Sequence, residues 1–494
     1  MVIVCLIVMG LVWACRFVWR RSRLAGLMLA AGLAIRAGVG ASFLSISYFG
    51  WPVLTSLQMG NGFWTLASDA QEYYRLGGLV AQEWQITITR GYTLPLGLWM
   101  RATGVNPASP VLFALVMYAL AVVILVAAFG RNRTRAAEQA LHLGIAALSF
   151  SPMLVYAAVF GLKDVFFTTL VVIIAVAYLT VLVGAGWTRT TRTTNLLAAA
   201  IGIVAVSLIA GTRAYFAILL WAAIGATYAG CFIVGIPSRR RALAQAVVVL
   251  PVLAVAIWFG AEGNYPRFAS NLIAAVPEAV VEQKTPIASG GLKELDRRRE
   301  AIDRYGGNSM LSRPAETARV EGSRRTKTAD PEVSRTETAV AEPNRPAQKA
   351  AAAALPAETH RASRLEGIAL GLGALLLPSV VLAKVAGIDL HISTTAQVIA
   401  DADTLVFDLM AAMILWVVIV NRREISWPAL MFGLVLALVV ALPLAYVMTN
   451  FGTLIRLRLL VAAPIWVLTL ALAPGLAASR APGQAPRPDP APIQ

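Results

Sequence analysis

Apolar runs of bilayer-crossing length recur along this chain, and they fix what it can fold into. A helix rises about 1.5 Å per residue, so about twenty apolar residues cross a hydrocarbon core about 30 Å thick. Runs close to that length lie near 2–15, 24–47, 109–129, 141–160, 165–185, 195–211, 216–236, 246–262, 400–420, 428–448 and 459–476. Lipid offers the backbone no hydrogen-bond partner, so these runs must be helices. Of the 494 residues, 58% are hydrophobic and 14% charged, and the mean hydropathy is +0.70. A soluble domain keeps about a quarter of its residues charged, so this chain cannot cover itself with polar surface. The expectation is an all-α integral membrane protein, multi-pass, with roughly eleven transmembrane helices.

The net charge of +16 sits in short clusters between the runs. That placement reads as a topology signal rather than a nucleic-acid stripe, because cytoplasmic loops collect Lys and Arg. Arg16 to Arg23, Arg131 to Arg135, Arg189 and Arg192, Arg239 to Arg241, and Arg422 and Arg423 alternate as single crossings require. They are assigned to the cytoplasm, with the tail that carries Arg480 and Arg487. No basic stretch precedes the first run, so it reads as a span with an outer N-terminus and not as a cleaved signal.

The outer side then receives 48–108, the turns at 161–164 and 211–215, the stretch 263–364 and the turn at 449–458. A further apolar run, 365–386, would put Arg422 and Arg423 on the wrong side if it crossed. With Pro378 and several glycines it is expected to re-enter as a hairpin. The chain divides into an N-terminal bundle over 1–262, the outer loop 263–364, a C-terminal membrane segment over 365–480 and a Pro-rich tail over 481–494. From about 313 the outer loop has almost no aromatics and is expected to be disordered. Cys5, Cys15 and Cys231 lie in apolar runs, where buried, inert thiols are expected. His142, His360 and His391 are scattered, and no zinc spacing appears.

Charges at membrane depth are costly, so their positions are informative. The first outer loop reads Ser68-Asp69-Ala70-Gln71-Glu72-Tyr73-Tyr74-Arg75, which on a helix puts Asp69, Glu72 and Tyr73 on one face. A carboxylate there can take a proton from a hydroxyl or hold a divalent ion. A solvated helix lying on the bilayer is the plain alternative. The loop continues through Trp84, Arg90, Gly91, Tyr92 and Pro95. Gly161-Leu162-Lys163-Asp164 joins two helices almost without a loop, and Pro152 should bend the incoming one. Lys163 and Asp164 are a cation and a carboxylate at a cavity mouth, unless they snorkel or pair with each other. Arg213 and Tyr215 occupy another tight outer turn, and Asn450, Arg456 and Arg458 a third. Outer arginines run against the charge rule, and guanidinium forks fit phosphate oxygens. Their alternatives are ordinary headgroup contacts or pairing with Asp69 or Asp164. Asp401, Asp403 and Asp408 precede or enter the run at 400–420; Asp408 lies at membrane depth if the span starts at 400, and the plain alternative is a helix that starts nearer 409.

These features together resemble the GT-C class of polytopic glycosyltransferases, which use polyprenyl-phosphate-linked sugars outside the cytoplasm. The resemblance rests on the Asp69 to Tyr73 stretch, on the Pro152 and Lys163-Asp164 helix pair, and on the turn from Asn450 to Arg456. It implies that Asp69 is the general base or acidic site residue and that Arg213 and Arg456 bind the carrier phosphate. Glu72 and Asp164 join the candidate catalytic set; Tyr73, Arg90, Lys163, Tyr215, Asn450 and Arg458 join the binding set. Partners would be membrane lipid, a polyprenyl-linked sugar donor and a glycan or lipid acceptor. A divalent cation, Mg or Mn, is a candidate cofactor for these carboxylates. The first loop lacks the family's tandem acidic pair, and no folded C-terminal outer domain is evident. High Ala and Arg usage points to a bacterial inner membrane protein of envelope or exopolysaccharide synthesis. A polysaccharide polymerase of the O-antigen type, or a transporter or flippase, remains open beside it.

Overall fold

The computed structural model describes residues 2–84, 91–129, 134–182, 192–233, 239–261, 394–447 and 462–473, with 372–373, 377–378 and 381. Helices dominate. Α1 (Val2–Arg21) and α2 (Arg23–Tyr48) form a hairpin hinged at Ser22, whose hydroxyl accepts from the Ala25 N–H at 3.3 Å and so caps α2. The outer segment then carries β1 (Gln58–Gly60), β2 (Phe63–Trp64), α3 (Ser68–Glu83) and α4 (Thr93–Thr103). Next come α5 (Ser109–Phe129), α6 (Arg135–Phe150), α7 (Pro152–Val159) and α8 (Lys163–Ala177), the last running on as a π-turn over Tyr178–Leu182. Α9 (Arg192–Thr212), α10 (Ala214–Ile233) and α11 (Arg239–Ala261) complete the first bundle. Α12 (Thr394–Val420), α13 (Trp427–Val447) and helical turns over 462–470 pack onto it.

Among the described residues eight helices are long and apolar enough to cross a membrane, or nine when the bent pair α6–α7 counts as one span. Roughly eleven were expected. The apolar part of α13, Trp427–Leu442, is shorter than the rest, and only 462–470 of the last run is described as helix. The described residues thus form an α-helical, multi-pass membrane architecture with eight or nine spans among them. The hairpin expected at 365–386 lies almost wholly outside the described residues. The loop 263–364 and the tail 481–494, with their expected disorder, lie entirely outside them.

Four expectations need correction. The outer segment carries a small antiparallel β-hairpin, because Asn61 (φ 51°) and Gly62 (φ 88°) supply the positive φ angles that a tight turn demands. The first helix runs to Arg21 and not to 15, so its arginines are helical. Α12 begins at Thr394 and carries an apolar span over Asp401–Val420, so the alternative start near 409 fails and Asp401, Asp403 and Asp408 are all within the helix. Cys5 is exposed, while Cys231 is buried. Only 11% of the α1 window is buried, so an apolar α1 residue is not thereby a core residue.

The helix expected over 141–160 starts at Arg135 and breaks at Ser151, where α6 and α7 meet at 47°. Pro152 sits at the start of α7, where its missing N–H costs nothing, and the Ser151 hydroxyl accepts from the Leu154 N–H at 3.2 Å. Two buried charges hold the break. Arg36, 1% exposed within α2, donates to the Ser149 and Leu148 carbonyls at 2.7 Å each. Asp403, fully buried, accepts from the Ser151 hydroxyl at 2.8 Å and the Met153 N–H at 3.0 Å. A cation meets the C-terminus of α6 and an anion the N-terminus of α7, as the helix dipoles favour.

Candidate functional site

Three segments expected on the outer side meet at one end of the bundle. Gly91, just before α4, donates its N–H to the Gly211 carbonyl at 3.1 Å. A Cβ on Gly91 would lie 2.6 Å from the Leu208 carbonyl oxygen, so only glycine allows this approach to the end of α9. Tyr92, 2% exposed, donates its hydroxyl to the Gly161 carbonyl at 2.9 Å, which ties the outer segment to the α7–α8 turn. Gly161 itself needs φ +63°, and a Cβ there would strike Pro110 at 2.5 Å. The end of α11 joins them, since Gly260 lies against Ser207 and Gly211.

Arg213 is the single residue between α9 and α10. Its guanidinium donates to the Asp164 carboxylate in the first turn of α8, and the two side chains are 7% and 3% exposed. The arginine also lies over the Phe167 ring at 5.3 Å, and Phe167 packs edge-on against Phe216. Asp164 is well placed for the α8 N-terminus and Arg213 for the α9 C-terminus. Pairing with Asp164 was one of the readings the sequence left open for Arg213, and this pair is formed.

Lys163, next in the chain, is half-buried and places its ammonium 5.4 Å from the centre of the Tyr73 ring. Tyr73 in turn meets Tyr92 edge-on at 5.3 Å, and Tyr92 packs on Phe166 at 5.7 Å. Burial pushes the Tyr92 phenol well up, and Tyr73 and the Asp164 charge add to it, so it stays a neutral hydrogen-bond donor. Asp69 is partly buried in the first turn of α3, one helical turn from Tyr73 and on the same face. Tyr73, Lys163, Asp164 and Arg213 are thus joined through direct contacts, and Asp69 stands beside them on α3.

Glu72 does not share their surroundings. It binds the exposed Arg75 through both carboxylate oxygens, at 2.9 and 2.7 Å, with the two side chains 53% and 60% exposed. The Arg75 hydrogen bonds hold its carboxyl below the usual range. The backbone of Tyr215 continues α10 past Arg213. Arg90, Asn450, Arg456 and Arg458 lie outside the described residues. Among the described residues no group of three His, Cys, Asp or Glu side chains could hold a metal ion.

Sequence reasoning passed over Arg36, and it named Gly91, Tyr92 and Asp403 without giving them a structural role. Arg36 had a usable signal, a lone charge in the middle of an apolar run. Ser151-Pro152 is a helix-start signature, yet nothing in sequence told that Asp403 would cap it.

Below the site, α9 and α11 leave a groove of about 550 Å³ between them. Its walls include Ile203, Val204, Leu208, Val252, Val255 and Phe259, so it is apolar, and its Leu208 end adjoins Gly91. No family model, no curated protein and no solved structure matches this chain.

Proposed function

We propose that the protein is a membrane glycosyltransferase of the GT-C kind, moving a sugar from a polyprenyl-phosphate-linked donor to a glycan or lipid acceptor. The observation that carries this reading is the convergence of Tyr73, Lys163, Asp164 and Arg213, from three separate segments, around Tyr92, whose neighbour Gly91 adjoins the Leu208 end of an apolar groove. Such a transfer needs a base at the acceptor, a cation at the leaving phosphate and an apolar path for the lipid chain. In this reading the prenyl chain lies along α9 and α11, and its phosphate reaches Lys163. Arg213, engaged by Asp164, is a positioning residue that anchors the Lys163-Asp164 turn rather than the first phosphate ligand. Asp69 takes the proton of the acceptor hydroxyl as its oxygen bonds to the sugar's anomeric carbon. The bond from that carbon to the phosphate oxygen breaks, and the phosphate leaves with the electron pair. A bacterial inner membrane and a role in envelope or exopolysaccharide synthesis belong to the same proposal.

The broken α6–α7 helix favours a second reading, because transporters build substrate sites at discontinuous helices. Here both half-helix ends are already bonded, to Arg36 and Asp403, which is a structural use of those charges.

The deciding experiment is transfer of labelled sugar from polyprenyl-phosphate donors by the purified protein in vesicles, wild type against Asp69→Asn. Wild-type transfer that falls by about 10² to 10⁴ in a folded variant supports the reading. Equal activity in the two proteins removes Asp69 from the mechanism. Sugar-lipid movement across the vesicle without transfer replaces the enzyme with a transporter.

A further inference from the structure

The opposite end of the bundle holds a second site. Trp13, Arg16, Phe17, Arg20 and Arg21 wall a recess of about 680 Å³ on the flank of α1. The spacing 13, 16, 17, 20, 21 follows one helical face, so the three guanidinium groups and two rings share one surface. The Arg21 guanidinium stacks on Phe17 at 3.7 Å, and Phe17 stacks on Trp13 at 5.2 Å. Arg16 and Arg20 are exposed, and among the described residues neither has a carboxylate partner.

We infer that this recess is a headgroup site for an anionic phospholipid of the leaflet at the basic end of the bundle. The rest of α1 decides for a lipid over a soluble anion. Ile3, Val4, Leu6, Val8, Met9 and Val12 are each more than 40% exposed, so the helix above the recess presents a hydrocarbon surface. Trp13 and Trp19, 59% and 46% exposed, mark the level where apolar exposure gives way to charge, as indole rings do at membrane interfaces. A phosphodiester at that level meets guanidinium forks, while its acyl chains lie along the exposed residues above. The base of the site is fixed. Ser22, directly after Arg21, caps α2 and hydrogen-bonds the His142 ring at 2.8 Å, and Gly26 lets α2 close on the Trp19 backbone. The site is independent of the transferase reading and lies at the other end of the molecule.

The arginines also count as topology signals, so the test must separate recess chemistry from charge alone. The full-length protein is equilibrated with mixed phosphatidylglycerol and phosphatidylcholine, and the phosphatidylglycerol retained per molecule is counted by native mass spectrometry. Wild type is compared with Arg16→Gln, Trp13→Ala and Arg423→Gln, the last removing a charge from the same end but outside the recess. The recess predicts that Arg16→Gln lowers phosphatidylglycerol affinity about five-fold, that Trp13→Ala lowers it with no change of charge, and that Arg423→Gln leaves it unchanged. Equal effects of Arg16→Gln and Arg423→Gln, or no preference of the wild type for phosphatidylglycerol, overturn the site. Arg16→Lys keeps the charge and the topology signal and loses the fork; it serves if Arg16→Gln does not fold.

Discussion

At Arg213 and Asp164 two charges are held out of water against each other. Removing one partner strands the other, so Arg213→Ala should cost about 3–5 kcal/mol, read as lost thermal stability in detergent. The double variant Asp164→Asn, Arg213→Gln strands no charge and should recover much of that loss. If it recovers stability but not sugar transfer, the pair positions the site; if it recovers both, the pair is structural only. Glu72 and Arg75 are the counter-case. The folded carboxyl of Glu72 is held low by its hydrogen bonds to Arg75. Its stabilisation is therefore present above the unfolded carboxylate pKa, about 4.3, and is lost as pH falls through the lower folded value. Both groups are more than half exposed, so solvent screens the pair, and Glu72→Gln should leave the melting temperature nearly unchanged. These residues also show what sequence could tell. The i, i+3, i+4 spacing correctly put Asp69 and Tyr73 on one face. Local spacing could not say that Glu72 turns to Arg75, three residues on, instead of inward.

At the scale of elements, the close approaches were hidden and the breaks were legible. Pro152 announced the bend, and the bend is there. Asn61-Gly62 carried the hairpin signal in plain sight, but the surrounding apolar pattern is too short to read as strands. The junction of Gly91 with Gly211 depends on two glycines more than a hundred residues apart, and no local pattern encodes it. Gly91→Ala must displace the end of α9, so it should cost about 1–3 kcal/mol and lower transfer more than stability alone explains. Ser151→Ala removes the α7 cap and one hydrogen bond of Asp403, costing about 1 kcal/mol in the same melting assay.

On the scale of the whole molecule, composition settled the solvent, and arginine clusters proposed the sides. The structure gathers 91, 161 and 211 at one end, while Ser22 meets His142 and the Ser426 N–H meets the Ala471 carbonyl at the other. That division follows the one drawn from the charges. Of the spans read from hydropathy, eight or nine are found among the described residues, and the last run, 459–476, is only partly described. Single cysteines at Gln71 and Arg423, in a chain lacking Cys5, Cys15 and Cys231, should react with an impermeant maleimide from opposite sides of sealed vesicles. Reaction of both from one side contradicts the sidedness.

The most direct measurement is photo-crosslinking with a polyprenyl phosphate that carries its reactive group beside the phosphate, mapped by peptide mass spectrometry. The account predicts label on peptides holding Tyr73, Lys163 and Arg213, reduced by unlabelled polyprenyl phosphate and by Lys163→Gln. Label confined to other segments, or spread evenly with no competition, would contradict a single phosphate site at Lys163 flanked by these segments.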